Sequence, residues 1–328
     1  ALAFKDDAPA DALFASARAR VQELLATIGT PAVTTFKPNR RGIELPRAVH
    51  GPEYYKGMVE RVKTRIHEGD VIQCVVSQSF VGPAPEDLVS LYRAQRYVNP
   101  SPYLFFLKAR GCTLIGSSPE TMIRLDNRTA CLRPIAGTRP RGATEQEDRR
   151  HADSLLQDEK ERAEHLMLVD LGRNELGRVA LPGTVQVTDL MTVERYSHVM
   201  HLVSNITADI EPRYDAFDLF QSAFPAGTLS GAPKIRAMEI IAELEDDPRG
   251  PYGGAVGYFS FDGHMDFCIC IRTAIAEHGR LTLRAGGGIV ADSEPDYEYR
   301  ETVNKAGALA RSIELLRQAQ ARESGCRQ

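Results

Sequence analysis

Apolar positions recur along the chain in two periods, one near 3.6 residues and one near 2. Residues 10–28, rich in Ala, Leu and Arg, carry the helical period, and a Pro- and Arg-rich connector follows over 34–46. In 52–69, Tyr55, Met58, Val59, Val62 and Ile66 share one helical face, and Gly69 supplies the stop. The run from Val71 to Phe80 is β-rich, and 86–97 predicts a helix closed by Asn99-Pro100. Short strand-like runs fill 103–108, 113–116, 121–125 and 129–132. Helices are predicted over 155–171, 217–224 and 232–244, the last opened by Ser230-Gly-Ala-Pro233. Strands are predicted over 255–261, 265–276, 281–285 and 289–290, and a long helix over 295–321. Many strands joined by short turns, with helices between them, predict an α+β protein built on antiparallel sheet. The β-α-β alternation with a Gly-rich phosphate turn that marks a dinucleotide fold is missing.

Composition narrows the function classes. The 328 residues include 40 basic and 44 acidic side chains, a net charge of −4, with 43% apolar residues. A chain this long buries a sizeable core without disulfide or metal staples, and its length suggests about two domains. No basic excess offers phosphate contacts, which argues against a nucleic-acid binder. No apolar run approaches the roughly 20 residues of a membrane span, so no membrane partner is expected. Nor does the N-terminus read as a signal peptide. The sequence opens on Ala1 rather than Met, which leads us to expect an upstream part that has been removed. The cysteines, at 74, 112, 131, 268, 270 and 326, match no zinc spacing. They read as reduced, buried small hydrophobes of a cytoplasmic protein.

Candidate chemistry concentrates on two helices and three loops. Glu161 and Glu164 stand three apart on the 155–171 helix, as do Glu298 and Glu301 on the last helix, so each pair shares a face. Two such pairs facing each other make an all-oxygen cage suited to a hard cation such as Mg²⁺; solvated helix faces carry the same spacing. The apolar run after His165 favours a buried face. Pro134-Ile-Ala-Gly-Thr-Arg-Pro-Arg-Gly142 reads as a turn with two arginines. Gly227-Thr-Leu-Ser-Gly-Ala-Pro233 runs into a helix start that suits an anion, and Gly286-Gly-Gly288 allows close backbone approach. Arg272, in a strand of Cys, Ile, Thr and Ala, is either paired internally or waiting for a carboxylate. His198 and His201 are core histidines or acid–base groups.

The motifs Pro134-Ile-Ala-Gly-Thr-Arg-Pro-Arg-Gly142, Glu161-Arg-Ala-Glu-His-Leu-Met-Leu-Val-Asp170, His198-Val-Met-His-Leu-Val-Ser204, Gly227-Thr-Leu-Ser-Gly-Ala-Pro-Lys234, Tyr252-Gly-Gly-Ala-Val-Gly-Tyr258 and Glu301-Thr-Val-Asn-Lys305 occur in this order. In this set the chain closely resembles the large (component I) subunit of anthranilate synthase, among the chorismate-utilising enzymes, over about residues 52–311. The resemblance implies a large antiparallel β-sandwich with helices packed outside and the active site between the sheets. It implies amination of chorismate by ammonia, then loss of pyruvate, to give anthranilate for tryptophan synthesis. By the motif match Glu161, Glu164, Glu298 and Glu301 hold Mg²⁺, Glu120 in Ser117-Ser-Pro-Glu120 is the general acid, and His201 serves pyruvate elimination. Thr228, Tyr252, Arg272, Gly286, Gly288 and Lys305 match substrate contacts. A glutamine amidotransferase subunit (component II) is the implied partner.

Two positions choose among family members. Gln73 stands where water-adding relatives place a lysine base, and Ala136 where aminodeoxychorismate synthases carry a nucleophilic lysine. Both favour direct amination. The alternatives are an aminodeoxyisochorismate synthase of the phenazine type and a non-catalytic fragment that binds an amidotransferase. The sequence departs from the family pattern at Glu175, usually Asp, and Gly287, usually Ala. The N-terminal Leu-Leu-Glu-Ser motif of the tryptophan site is missing, while Asn99-Pro-Ser-Pro-Tyr103, with Pro102 and Tyr103, matches its other half. We therefore expect 1–51 to be the end of an N-terminal regulatory segment and 52–328 to be one chorismate-binding catalytic domain. We also expect the strands over 112–123 to have open edges.

Overall fold

The computed structural model describes residues 9–30, 43–196 and 199–325. Most of the 34–46 connector, and all of His198 and Cys326, lie outside the described residues. The chain divides into two units, Ala1–Pro38 and Asn39–Gln328. Among the described residues the first carries helix α1 (Ala10–Gly29), with Asp11 in its first turn where the helix dipole favours negative charge.

The second unit opens with β1 (Arg47–Ala48), α2 (Pro52–His67), β2 (Gln73–Pro83), α3 (Leu88–Val98), β3 (Tyr103–Ala109) and β4 (Cys112–Ser118). It continues through β5 (Thr121–Asp126), β6 (Thr129–Leu132), β7 (Ile135–Pro140), α4 (Glu145–Gln157), α5 (Glu159–Gly177), β8 (Gln186–Arg195), β9 (Val199–Asp209) and α6 (Ala216–Ala223). A 3-10 turn, Gly227–Leu229, leads to β10 (Gly231–Ala232), α7 (Lys234–Leu244), β11 (Ala255–Phe259), β12 (Met265–Ile269), β13 (Thr273–Glu277), β14 (Arg280–Ile289) and α8 (Pro295–Gly325).

Among the described residues the strands form two antiparallel seven-stranded sheets, as an α+β chain of this pattern should. One runs β1-β2-β14-β13-β4-β3 with β10 also on β2; the other runs β11-β12-β5-β6-β9-β7 with β8 also on β9. Helices α2, α7 and α8 pack on the first sheet, and α4, α5 and α6 on the second. Pro52 at the first helical turn preorganises α2, whose Tyr55, Met58, Val59 and Val62 are buried against β2, α7 and Ile289. Burying each such side chain contributes roughly 1.5–3 kcal/mol. A second core joins β5, β6, β9 and β12 to α5 and α6. No helix among the described residues is long and apolar enough to cross a membrane. The described cysteines are free thiols, with Cys74 pushed up to about 12 by burial.

The structure corrects the sequence pattern at several places. The single helix over 155–171 is two, because Asp158 leaves helical geometry and its side chain caps α5 by accepting from Glu161 N at 3.1 Å. The single strand over 265–276 is also two, β12 in the second sheet and β13 in the first, because the chain changes sheet at Cys270–Arg272. The runs 281–285 and 289–290 are one strand, β14, continuous through the three glycines. The 134–142 turn contains strand β7. Helix α4 and strands β8 and β9 were not expected, although β9 buries every second residue from Met200 to Ala208. The expected open edges at 112–123 do not occur: β4 lies between β13 and β3, and β5 between β12 and β6.

Candidate active site

Two sheet-to-sheet crossings lie side by side and place the chemistry. The first, between β4 and β5, carries Pro119 and Glu120; the second, between β12 and β13, carries Arg272. Ile269 N donates to Glu120 O at 3.0 Å and ties the crossings together. Arg272 has φ +50°, a left-handed conformation that costs a non-glycine residue stability and persists only where neighbours enforce it. Gln95 Nε2 of α3 donates to its carbonyl at 2.8 Å, and Ser117 N at 3.3 Å.

These crossings open on a cleft of about 520 Å³ lined by residues of both sheets and of α5 and α8. Glu120, Gln73, His201, Thr228, Tyr252, Arg272, Gly286, Gly288 and Lys305 all line it, as do Glu161, Glu164, Glu298 and Glu301. The sequence-expected catalytic, substrate and metal residues are thus brought to one place. Pro102 and Tyr103 are not among its lining; the Tyr103 hydroxyl is used internally, 2.7 Å from Asp266 Oδ1 and 2.9 Å from Thr121 Oγ1.

Burial pushes the Glu120 carboxyl up to about 7, against the opposing pull of Thr228, Arg272 and Lys305. A carboxyl in that range is protonated often enough near neutrality to donate a proton. Burial also pulls the Arg272 guanidinium down, with Glu120 acting the other way. His201 Nδ1 lies 3.0 Å from both the Gly137 carbonyl and Thr138 Oγ1; because the carbonyl can only accept, this arrangement favours the hydrogen on Nδ1 and leaves Nε2 as the base. The β7–β9 pairing slips between Ala136 and Thr138, and Gly137 takes φ +69° there, which turns that carbonyl toward the ring. Burial holds His201 below its ordinary value. Tyr252 is buried under the Arg249 guanidinium, whose carbon lies 5.7 Å from the ring centre.

Each of the four glutamates is engaged. Glu161 Oε1 accepts from Arg139 at 3.1 Å, Glu164 Oε1 from Gln73 Nε2 at 3.1 Å, Glu298 Oε1 from Ser293 Oγ at 2.8 Å, and Glu301 Oε1 pairs with Lys305 Nζ at 2.8 Å. Burial raises Glu164, helped by the Glu161 and Glu301 charges; burial lifts Glu298 to about 7, helped by Glu301. The four carboxylates thus reach one cleft from α5 and α8, and Glu164 feels the charges of both Glu161 and Glu301. Among the described residues no three His, Cys, Asp or Glu converge closely enough to hold a metal as they stand. The donor set still fits a hard divalent cation: four oxygen ligands that repel one another and lose that repulsion once a cation stands between them.

Sequence reasoning missed Arg139, which bridges Asp158 and Glu161, although it lies in the turn motif singled out for its arginines. It also missed the buried base of the cleft, where Glu245 accepts from Ser77 N, Ser77 Oγ, Arg249 and Arg284. An i, i+4 Glu–Arg spacing was the one available signal.

Comparison with known proteins agrees with this geometry. Residues 6–311 match the chorismate binding enzyme family. Anthranilate synthase component 1 of Aquifex aeolicus is 52% identical over 268 residues, covering 82% of this chain and 54% of the relative. That of Pseudomonas putida is 48% identical over 319 residues, covering 94% and 64%. The crystal structure of anthranilate synthase component I from Streptococcus pneumoniae superposes with a TM-score of 0.82 at 40% identity, over 93% of this chain and 67% of that one. The menaquinone-specific isochorismate synthase of Escherichia coli, 23% identical with a TM-score of 0.78, shares the fold. The chain spans between half and two thirds of the length of the curated relatives named here. Extent of match, fold and the residues gathered in the cleft together make this chain a member of the chorismate binding enzyme family.

Proposed function

We propose that this chain carries the catalytic site of anthranilate synthase component I, aminating chorismate and eliminating pyruvate. The observation that carries the reading is Glu120, a buried carboxyl lifted to about 7 beside the Arg272 guanidinium. Arg272, Thr228, Tyr252 and the Gly286–Gly288 stretch bind the substrate carboxylates, and Lys305, 2.9 Å from the Gly286 carbonyl, braces that stretch against α8. Ammonia bonds to the ring as the ring C–O bond breaks, and Glu120 gives its proton to the departing hydroxyl, which leaves as water. Gln73 has a buried Oε1 without a partner, an acceptor that orients an incoming N–H. A glutamine there cannot deprotonate water, which separates amination from hydration. His201 Nε2 then receives the ring proton as the ether C–O bond breaks; the enolpyruvyl fragment takes up a proton and leaves as pyruvate, and the ring becomes aromatic. Glu161, Glu164, Glu298 and Glu301 would hold Mg²⁺, which when bound neutralises and polarises the substrate's ring carboxylate.

The ammonia source in this reading is a separate glutamine amidotransferase subunit, and the compartment is the cytoplasm. The test is the fluorescence of anthranilate formed from chorismate with ammonium and Mg²⁺. Growth of that emission supports the reading. An aminated but non-aromatic product would move it to the phenazine-type chemistry, and no turnover by the folded chain would overturn it.

A further inference from the structure

The cleft has a neighbour. Glu120, Leu168 and Thr228 line both the cleft and a second cavity of about 30 Å³ behind it, and Glu175 of α5 lines that second cavity too. Such a space holds a water or two, provided polar partners line it. Two residues of its lining bring polar atoms, Thr228 Oγ1 and Glu175 Oε1, both buried and neither in a well-directed hydrogen bond, though each has a polar or charged neighbour. Thr228 faces the Glu120 carboxyl. Glu175 Oε1 lies 2.6 Å from Lys234 Nζ, an ion-pair distance without hydrogen-bond direction. Lys234 Nζ also donates to Ala223 O at 3.3 Å, so it is fixed from two sides.

We propose that Glu175 is a positioning residue that returns a proton to Glu120 through water in this cavity. The proposal rests on the chorismate reading above. Once Glu120 has given its proton to the departing hydroxyl, cavity water passes a proton to the Glu120 carboxylate. Glu175 passes its own to that water, and its carboxylate is left against the Lys234 ammonium. Solvent supplies the next proton between turnovers. Burial lifts both carboxyls to about 7, so the proton moves between nearly matched groups. The charged and titratable neighbours are few. Lys234 and Arg178 act on Glu175; Arg272 and Lys305 act on Glu120, which also feels Tyr252. Arg133 lines the cavity and is held by Glu194.

The competing role is a plain ion pair that ties α5 to α7. Steady-state kinetics of anthranilate formation over pH 6–9 separate the two. If both carboxyls must be protonated, log kcat of the unaltered chain falls toward a slope of −2 above their pKa values. Glu175→Gln, which keeps the size and cannot titrate, should lower kcat at least tenfold, leave KM for chorismate within twofold and reduce the slope to −1. Unchanged kcat and slope in a folded Glu175→Gln would overturn the relay alone. No anthranilate from the unaltered chain would overturn the underlying reading and the relay with it. If Glu175→Gln does not fold, the carboxyl ¹³C resonance of Glu175 in the labelled unaltered chain decides, assigned with Glu175→Asp. Titration between pH 5 and 9 supports the relay; a Glu175 ionised throughout that range cannot supply a proton and overturns it.

Discussion

Glu120→Gln should make the protein more stable and nearly inactive, and the gain should grow with pH. Burial raises the Glu120 carboxyl from an ordinary 4.5 to about 7. The sign follows from a folded value above the unfolded one. Below 4.5 both states hold the proton and Glu120 costs nothing. Between 4.5 and 7 the unfolded chain ionises while the folded chain does not, so stability falls by about 1.4 kcal/mol per pH unit. Above 7 the loss is complete, at about 3 kcal/mol. Glutamine has no charge to bury. Its stability advantage over the native residue should therefore grow by roughly 2–3 kcal/mol between pH 5 and pH 8. Denaturant unfolding of both proteins at the two pH values measures this directly. On the proposed reading the same change removes the proton donor and should lower kcat by roughly 10²–10⁴ at neutral pH. In the unaltered chain, kcat at fixed free ammonia should decline as pH rises through 7. A stability difference that does not change with pH would mean that Glu120 is ionised in the fold. That result would refute the general-acid assignment whatever the activity.

Other outcomes follow from the same geometry. Glu298→Gln and Glu301→Gln should each raise the Mg²⁺ concentration for half-maximal rate at least tenfold while circular dichroism stays native; an unchanged Mg²⁺ response would remove them from the metal shell. Glu245→Ala strands Arg284, which is only 4% exposed, and should cost about 3–5 kcal/mol in unfolding free energy; a loss under 1 kcal/mol would show the network to be dispensable. Gly286→Ala and Gly288→Ala should differ. The first places a Cβ 2.4 Å from the Val76 carbonyl, inside the β2–β14 ladder, and should cost several kcal/mol. The second meets only the end of the Gln73 side chain, which can swing away from Glu164, so the fold should survive while the rate falls.

The legible parts of this chain were those where one period or one motif decided the matter. The face of α2 could be read from Tyr55, Met58, Val59 and Val62, and all four are buried. The crossings between sheets were not legible. The run Met265-Asp-Phe-Cys-Ile-Cys-Ile-Arg-Thr-Ala is mostly apolar and strand-like from end to end, and no turn residue in it announces that β12 and β13 join different sheets at Arg272. Only the left-handed Arg272, held by Gln95 from a distant helix, marks the break. The two glutamate pairs were visible as i, i+3 spacing. Their mutual repulsion, and the partners that hold them apart, depend on α5 and α8 lining the same cleft. The Glu175–Lys234 pair joins residues 59 apart and left no local pattern.

The central claim is that this cleft puts ammonia nitrogen onto chorismate and then releases pyruvate. Incubation of the chain with chorismate, Mg²⁺ and ¹⁵N-labelled ammonium, followed by mass spectrometry of the products, tests it most directly. The account predicts anthranilate carrying one ¹⁵N, with one pyruvate for each anthranilate formed. A hydroxylated product without ¹⁵N, or a labelled product that retains the enolpyruvyl group, would contradict it.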